Sequence, residues 1–161
     1  MRSRKSKQNH KHSMLSRGAR SYPIPFFLRE QGISQHTYGV WLDKVTKAIS
    51  IRDKVRLAPE IVSPAIIRKA VHNAVCDGGD KDFYTGEPLN WRLLQHFNLE
   101  PLRADKADHH KVPSVDHYIL SASNPVFRIC SLRTNKCKSD YSLQELEGFC
   151  NKFLAHQAGK K

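Results

Sequence analysis

The sequence predicts an α+β chain: helices first, then a strand–loop–strand–helix unit, then a C-terminal helix. Three observations carry this. Apolar residues recur at three- and four-residue steps from Tyr38 to Ile49 and again from Ile66 to Val75, the period of helices with one buried face. Two β-type runs, Ser114–Ile119 and Val126–Leu132, flank the turn-rich Ser121, Ser123, Asn124 and Pro125. Ser142-Leu143-Gln144-Glu145 is a capping-box pattern ahead of a third apolar stripe.

Taken in order, residues 1–20 hold seven Lys or Arg, no acid, and beyond Met1 only Met14, Leu15 and Ala19 as hydrophobes. That composition cannot bury enough surface to order itself, so a disordered basic tail is expected. Residues 21–161 are expected to form a single domain with a helical part, 21–80, and a core, 81–156. Ser21–Ile33 is a proline-broken apolar stretch, expected as an extended lead-in. Ser34 is placed to cap a helix to about Arg56, with Tyr38, Trp41, Leu42, Val45, Ile49 and Arg52 on a stripe with a polar edge, and Lys44, Lys47, Arg52, Lys54 and Arg56 as its basic face. Ser63-Pro64 starts a second helix, to about Cys76, and Asp77-Gly78-Gly79-Asp80 stops it. His72 falls on its apolar side and reads as a structural histidine. Phe83-Tyr84-Thr85 reads as a strand end before the turn Gly86-Glu87-Pro88, and Asn90 as the cap of a short helix from Trp91 to Phe97. The last helix would run to about His156, with Leu143, Leu146, Phe149, Cys150 and Phe153 facing inward to clamp the core.

The 161 residues suffice for one domain of modest core, and 39% hydrophobic with 26% charged residues is an ordinary globular balance. The charge is not ordinary. Twenty-seven Lys and Arg against fifteen acids leave +12, a surface that attracts polyanions, of which nucleic acid is the commonest. The basic tail supplies seven of those charges and would lie along phosphates, releasing counterions. No run of about twenty apolar residues is present to cross a bilayer, and the basic N-terminus lacks the apolar core of a secretory signal. A cytoplasmic protein with no membrane partner is expected. Its four cysteines, Cys76, Cys130, Cys137 and Cys150, lack any Cys-x-x-Cys spacing and read as reduced, mostly buried thiols. Structural zinc is not expected, Cys130 and Cys137 with a histidine being the rival arrangement.

The chemistry concentrates between Pro113 and Asp140. Asp116 and His117 are neighbours in one strand, so their side chains point to opposite faces, and Asn135 returns from the following helix start. Carboxylate and amide oxygens suit Mg²⁺ or Mn²⁺, and a neutral imidazole beside them can take a proton from water. VDHYI followed by SLRTNKCKSD resembles the Asp-His and Asn-x-x-Lys elements of HNH nucleases, the ββα-metal or His-Me finger group. DFYTGEPLNW resembles the stretch opening the core in a set of bacterial HNH-like proteins. The resemblance spans about Asp82 to Phe149. It implies a ββα-metal core, His117 as general base, and Asp116 and Asn135 as ligands of one divalent metal, Mg²⁺ or Mn²⁺. Arg133, Lys136 and Lys138 would bind nucleic-acid phosphate, and DNA is expected ahead of RNA. The chain departs from the pattern in lacking paired Cys-x-x-Cys knuckles and in the long interval from Asn124, the possible middle Asn, to Asn135.

Two questions stay open at this level. His109-His110, in the polar stretch with Asp105 and Asp108, resembles the His-His pair ahead of the β-hairpin in the colicin-type branch of His-Me finger nucleases, which implies His110 as a rival base; His117 is preferred because a strand holds a catalytic group more rigidly than a loop. A metal-dependent phosphodiester hydrolase competes with a non-catalytic nucleic-acid-binding protein on the same fold, and with a basic adaptor for an acidic protein.

Overall fold

The computed structural model describes residues 22–56, 62–96, 111–121 and 123–160. The basic tail, and the stretch holding Asp105, Asp108, His109 and His110, lie outside the described residues. Among these residues, helices and a two-stranded antiparallel sheet form a mixed α+β arrangement. In chain order these are α1 (Phe26–Glu30), α2 (Gln35–Arg56), α3 (Pro64–Gly78), a 3₁₀ turn (Trp91–His96), β1 (Pro113–Ile119), β2 (Val126–Ser131), α4 (Leu132–Lys138) and α5 (Leu143–Ala158). None of the described helices is long and apolar enough to cross a membrane.

The long helices start where their caps dictate. Ser34 Oγ accepts the Thr37 amide at 3.0 Å to open α2. Ser63 does the same for Ala65 at the head of α3, where Pro64 fits because its missing N–H would have no partner there. α3 ends at Gly79, whose φ of 64° suits glycine and whose amide returns to the Val75 carbonyl. The stripe of α2 buries Tyr38, Trp41, Leu42 and Ile49 against Ile67, Val71, Ala74 and Val75 of α3. Trp41 meets Trp91 edge-on at 5.6 Å, so it is a core residue. His72 is buried as expected, with Tyr38 Oη 2.8 Å from its Nδ1 and Cys76 Sγ near its Nε2.

β1 and β2 pair in a register that sets Val115 opposite Ile129, Asp116 opposite Arg128 and His117 opposite Phe127. Val115, Phe127 and Ile129 are buried in the helical core, so one sheet face lies on α2 and α3. The alternation therefore turns Ser114, Asp116 and Tyr118 to the other face. The ladder becomes irregular between His117 and Ile119.

Several expectations are corrected. The lead-in is not wholly extended: past Pro25 the chain closes a single helical turn, α1, which buries Leu28. Phe83–Thr85 is a turn rather than a strand end, pinched by a bridge between Lys81 and Pro88. Ile66 is 40% exposed, although its neighbour Ile67 is fully buried. Cysteines 76, 137 and 150 are exposed and only Cys130 is buried. The largest difference is α5. Its capping box forms, but the helix buries no residue, and Leu143, Phe149, Cys150 and Phe153 are exposed. Its cap and the Tyr141–Phe149 ring stack hold it locally, and among the described residues only its first turn, at Leu143 and Glu145, borders the groove beside β1 and α4.

Candidate active site

The site is assembled around the buried carboxylate of Asp82. Asp82, 1% exposed, accepts the Tyr84 and Thr85 amides on Oδ1, and on Oδ2 the Ser131 amide and Thr134 hydroxyl, each at 2.7 Å. One side chain thus ties the 81–88 turn to the end of β2 and the start of α4. Ser131 completes the junction by capping α4, its Oγ accepting from the Thr134 amide. Burial pushes the Asp82 pKa up, but these hydrogen bonds outweigh it and hold the carboxyl below its ordinary range.

The turn so fixed aims Tyr84 at Asp116. The phenol donates to Asp116 Oδ2 at 2.5 Å, and Lys138 Nζ reaches the same carboxylate at 3.2 Å from the last turn of α4. Asp116 and Lys138 are both buried, so the pair is shielded from water and each charge needs the other. Burial first, and then the carboxylate, push Tyr84 well above a free phenol, so it stays a donor. Asn135, one turn into α4, donates its Nδ2 to Ser114 Oγ at 2.8 Å and to the Val115 carbonyl at 3.0 Å. That anchors the amide against β1, next to Asp116, and leaves Oδ1 as its remaining acceptor.

His117, on the opposite face, is held by α2. Its Nε2 lies 3.1 and 3.2 Å from the two oxygens of Asp53, and its Nδ1 is 2.5 Å from Nη2 of Arg52. Burial first, then the Arg52 charge, lower the imidazole pKa against the opposing pull of Asp53, so the ring is neutral near pH 7. A groove of about 1190 Å³ is lined by Asp116, His117, Asn135, Arg52, Lys136 and Lys138. The three residues expected to act together thus share one cavity, although two faces of β1 supply them.

The remaining expected residues lie as follows. Lys136 is exposed on the groove. Arg133 is exposed and pairs with Glu87 at 3.2 Å, a surface contact away from the lining. Lys138, expected on phosphate, is engaged with Asp116 instead. Asn124 sits exposed in the hairpin loop, its amide on Ser121 Oγ, and does not line the groove. His110 lies outside the described residues.

Among the described residues no cluster of three or more His, Cys, Asp or Glu side chains is shaped to hold a metal. Between β1 and α4 the groove offers the Asp116 carboxylate and the Asn135 amide oxygen, with Asp140 and Glu145 also on its lining; these are hard donors of the kind Mg²⁺ or Mn²⁺ accepts when water and phosphate oxygens complete the shell. The set fits such an ion on condition that Lys138 yields part of the carboxylate it now neutralises.

Sequence reasoning missed Asp53, Asp82 and Tyr84. A signal existed for Asp53: it falls four residues after Ile49 on the α2 stripe, where an apolar residue belongs. Comparison with family models, with curated proteins and with solved structures finds no match to this chain.

Proposed function

We propose that the protein is a metal-dependent endonuclease that hydrolyses phosphodiester bonds, in DNA ahead of RNA, on a ββα-metal core formed by β1, β2 and α4. The observation that carries this reading is the convergence of Asp116, His117 and Asn135 on one groove with Arg52 and Lys136 at its wall. His117, neutral and held on two sides, would take the proton of the attacking water. Arg52 and Lys136 would bind the phosphate and set it in line with that water. Asp116 and Asn135 would hold the divalent ion, whose chemistry when bound is stabilisation of charge on the phosphate oxygens.

The buried Lys138–Asp116 pair favours a second reading, a nucleic-acid-binding protein without cleavage, because an ammonium already neutralises the carboxylate that would ligate the ion. Incubation of supercoiled plasmid with Mg²⁺, Mn²⁺ or EDTA, beside His117→Ala and His110→Ala, separates the two. Metal-dependent cutting lost only in His117→Ala supports the nuclease. Loss only in His110→Ala moves the base, and salt-sensitive binding without cutting in any metal leaves the binding protein.

A further inference from the structure

We propose that Asp53 is a positioning residue for His117: it takes the Nε2–H of the imidazole and so leaves Nδ1 as the atom that receives the proton. The inference rests on the nuclease reading and names what aims its base. The donor and acceptor inventory settles the ring. A guanidinium has only donors, so the Arg52 Nη2 contact at 2.5 Å requires a lone pair on Nδ1. An ionised carboxylate has only acceptors, so Asp53, at 3.1 and 3.2 Å from Nε2, requires the hydrogen there. The two contacts agree on one neutral tautomer.

Placement makes the same case. Asp53 is 2% exposed on the face of α2 that otherwise packs the core, where a carboxylate is costly unless it is hydrogen-bonded. His117 meets that need at the C-terminal end of a 22-residue helix anchored by Trp41 and Tyr38. The ring is also wedged edge-on against Phe127 at 4.7 Å, so rotation away from Asp53 is opposed by packing. Arg52 covers the Nδ1 lone pair and lines the groove, so an arriving phosphate is the ligand that would draw the guanidinium off and uncover it.

The test combines ring-nitrogen NMR of the full chain with cleavage kinetics. In ¹⁵N-histidine-labelled protein, with the signal assigned by His117→Gln, the inference predicts the Nε2–H tautomer for His117. In Mn²⁺ with plasmid, Asp53→Ala should lower kcat about 100-fold and Asp53→Asn, which keeps one acceptor, about 10-fold, with KM unchanged in both. A wild-type ring carrying its hydrogen on Nδ1 would overturn the inference without any variant, even if Asp53→Ala failed to fold. Folded Asp53→Ala with wild-type kcat would overturn it too. A wild type with the Nε2–H ring that cleaves nothing in any metal would instead sink the nuclease reading, and Asp53 would have no reaction to serve.

Discussion

Replacing Asp82 tests how the site is built. Its carboxylate receives four hydrogen bonds, from the Tyr84, Thr85 and Ser131 amides and the Thr134 hydroxyl, with 1% of the residue exposed. In Asp82→Ala the buried Ser131 amide and the half-buried Tyr84 amide lose their acceptor, at about 1–3 kcal/mol for each stranded donor. Because the bonds share one side chain they are not additive, and we expect a total of about 3–4 kcal/mol, a large part of the roughly 5–15 kcal/mol of a typical domain. That corresponds to a melting temperature lower by about 10 °C. Asp82→Asn keeps one acceptor oxygen but turns an NH₂ toward two donors, so it should lie between wild type and Ala. The pH dependence carries a sign. The folded pKa is depressed below the ordinary 3.8, so the stabilisation is full above that value and is lost as pH falls through the folded pKa. The gap between wild type and Asp82→Ala should accordingly narrow below about pH 3.8. Urea unfolding at pH 7 and pH 3 measures both effects. A cost under about 1 kcal/mol at pH 7, or a gap that widens in acid, would refute this account of the junction.

Further outcomes follow from other contacts. Lys138→Ala leaves Asp116 a buried unpaired charge and should cost about 3–5 kcal/mol, while Lys138→Met with Asp116→Asn should cost less than the sum of the singles in chemical denaturation. Arg133→Ala breaks only the exposed contact to Glu87 and should change stability by less than about 0.5 kcal/mol. Ser142→Ala should reduce helical circular dichroism without moving the main melting transition, because α5 buries no residue. A thiol reagent at pH 8 should modify Cys76, Cys137 and Cys150 and spare Cys130, whose thiol is buried and pushed far above its ordinary pKa by that burial; modification of all four in the folded protein would contradict this.

Local periodicity and caps made much of the fold legible. The α2 stripe, Ser63-Pro64, the two β-type runs and the Ser142–Glu145 capping box all depend on neighbours within four residues, and each formed where the sequence placed it. What depends on distant partners was not legible. DFYTGEP shows a turn, but the role of Asp82 depends on Ser131 and Thr134, about fifty residues later. Tyr84 looks like one more aromatic until Asp116 is set opposite it. Lys138 read as a phosphate ligand because nothing local shows that the last turn of α4 faces inward. The apolar stripe of α5 has the period of a buried helix, and periodicity cannot supply the surface that would bury it.

The single-turnover cleavage rate of a labelled DNA duplex in Mn²⁺, for wild type and His117→Ala, tests the central reading most directly. The wild type should cut the duplex, with cutting abolished by EDTA and slowed at least about 100-fold in His117→Ala. Equal rates in the two proteins, or binding without any cleavage, would contradict it.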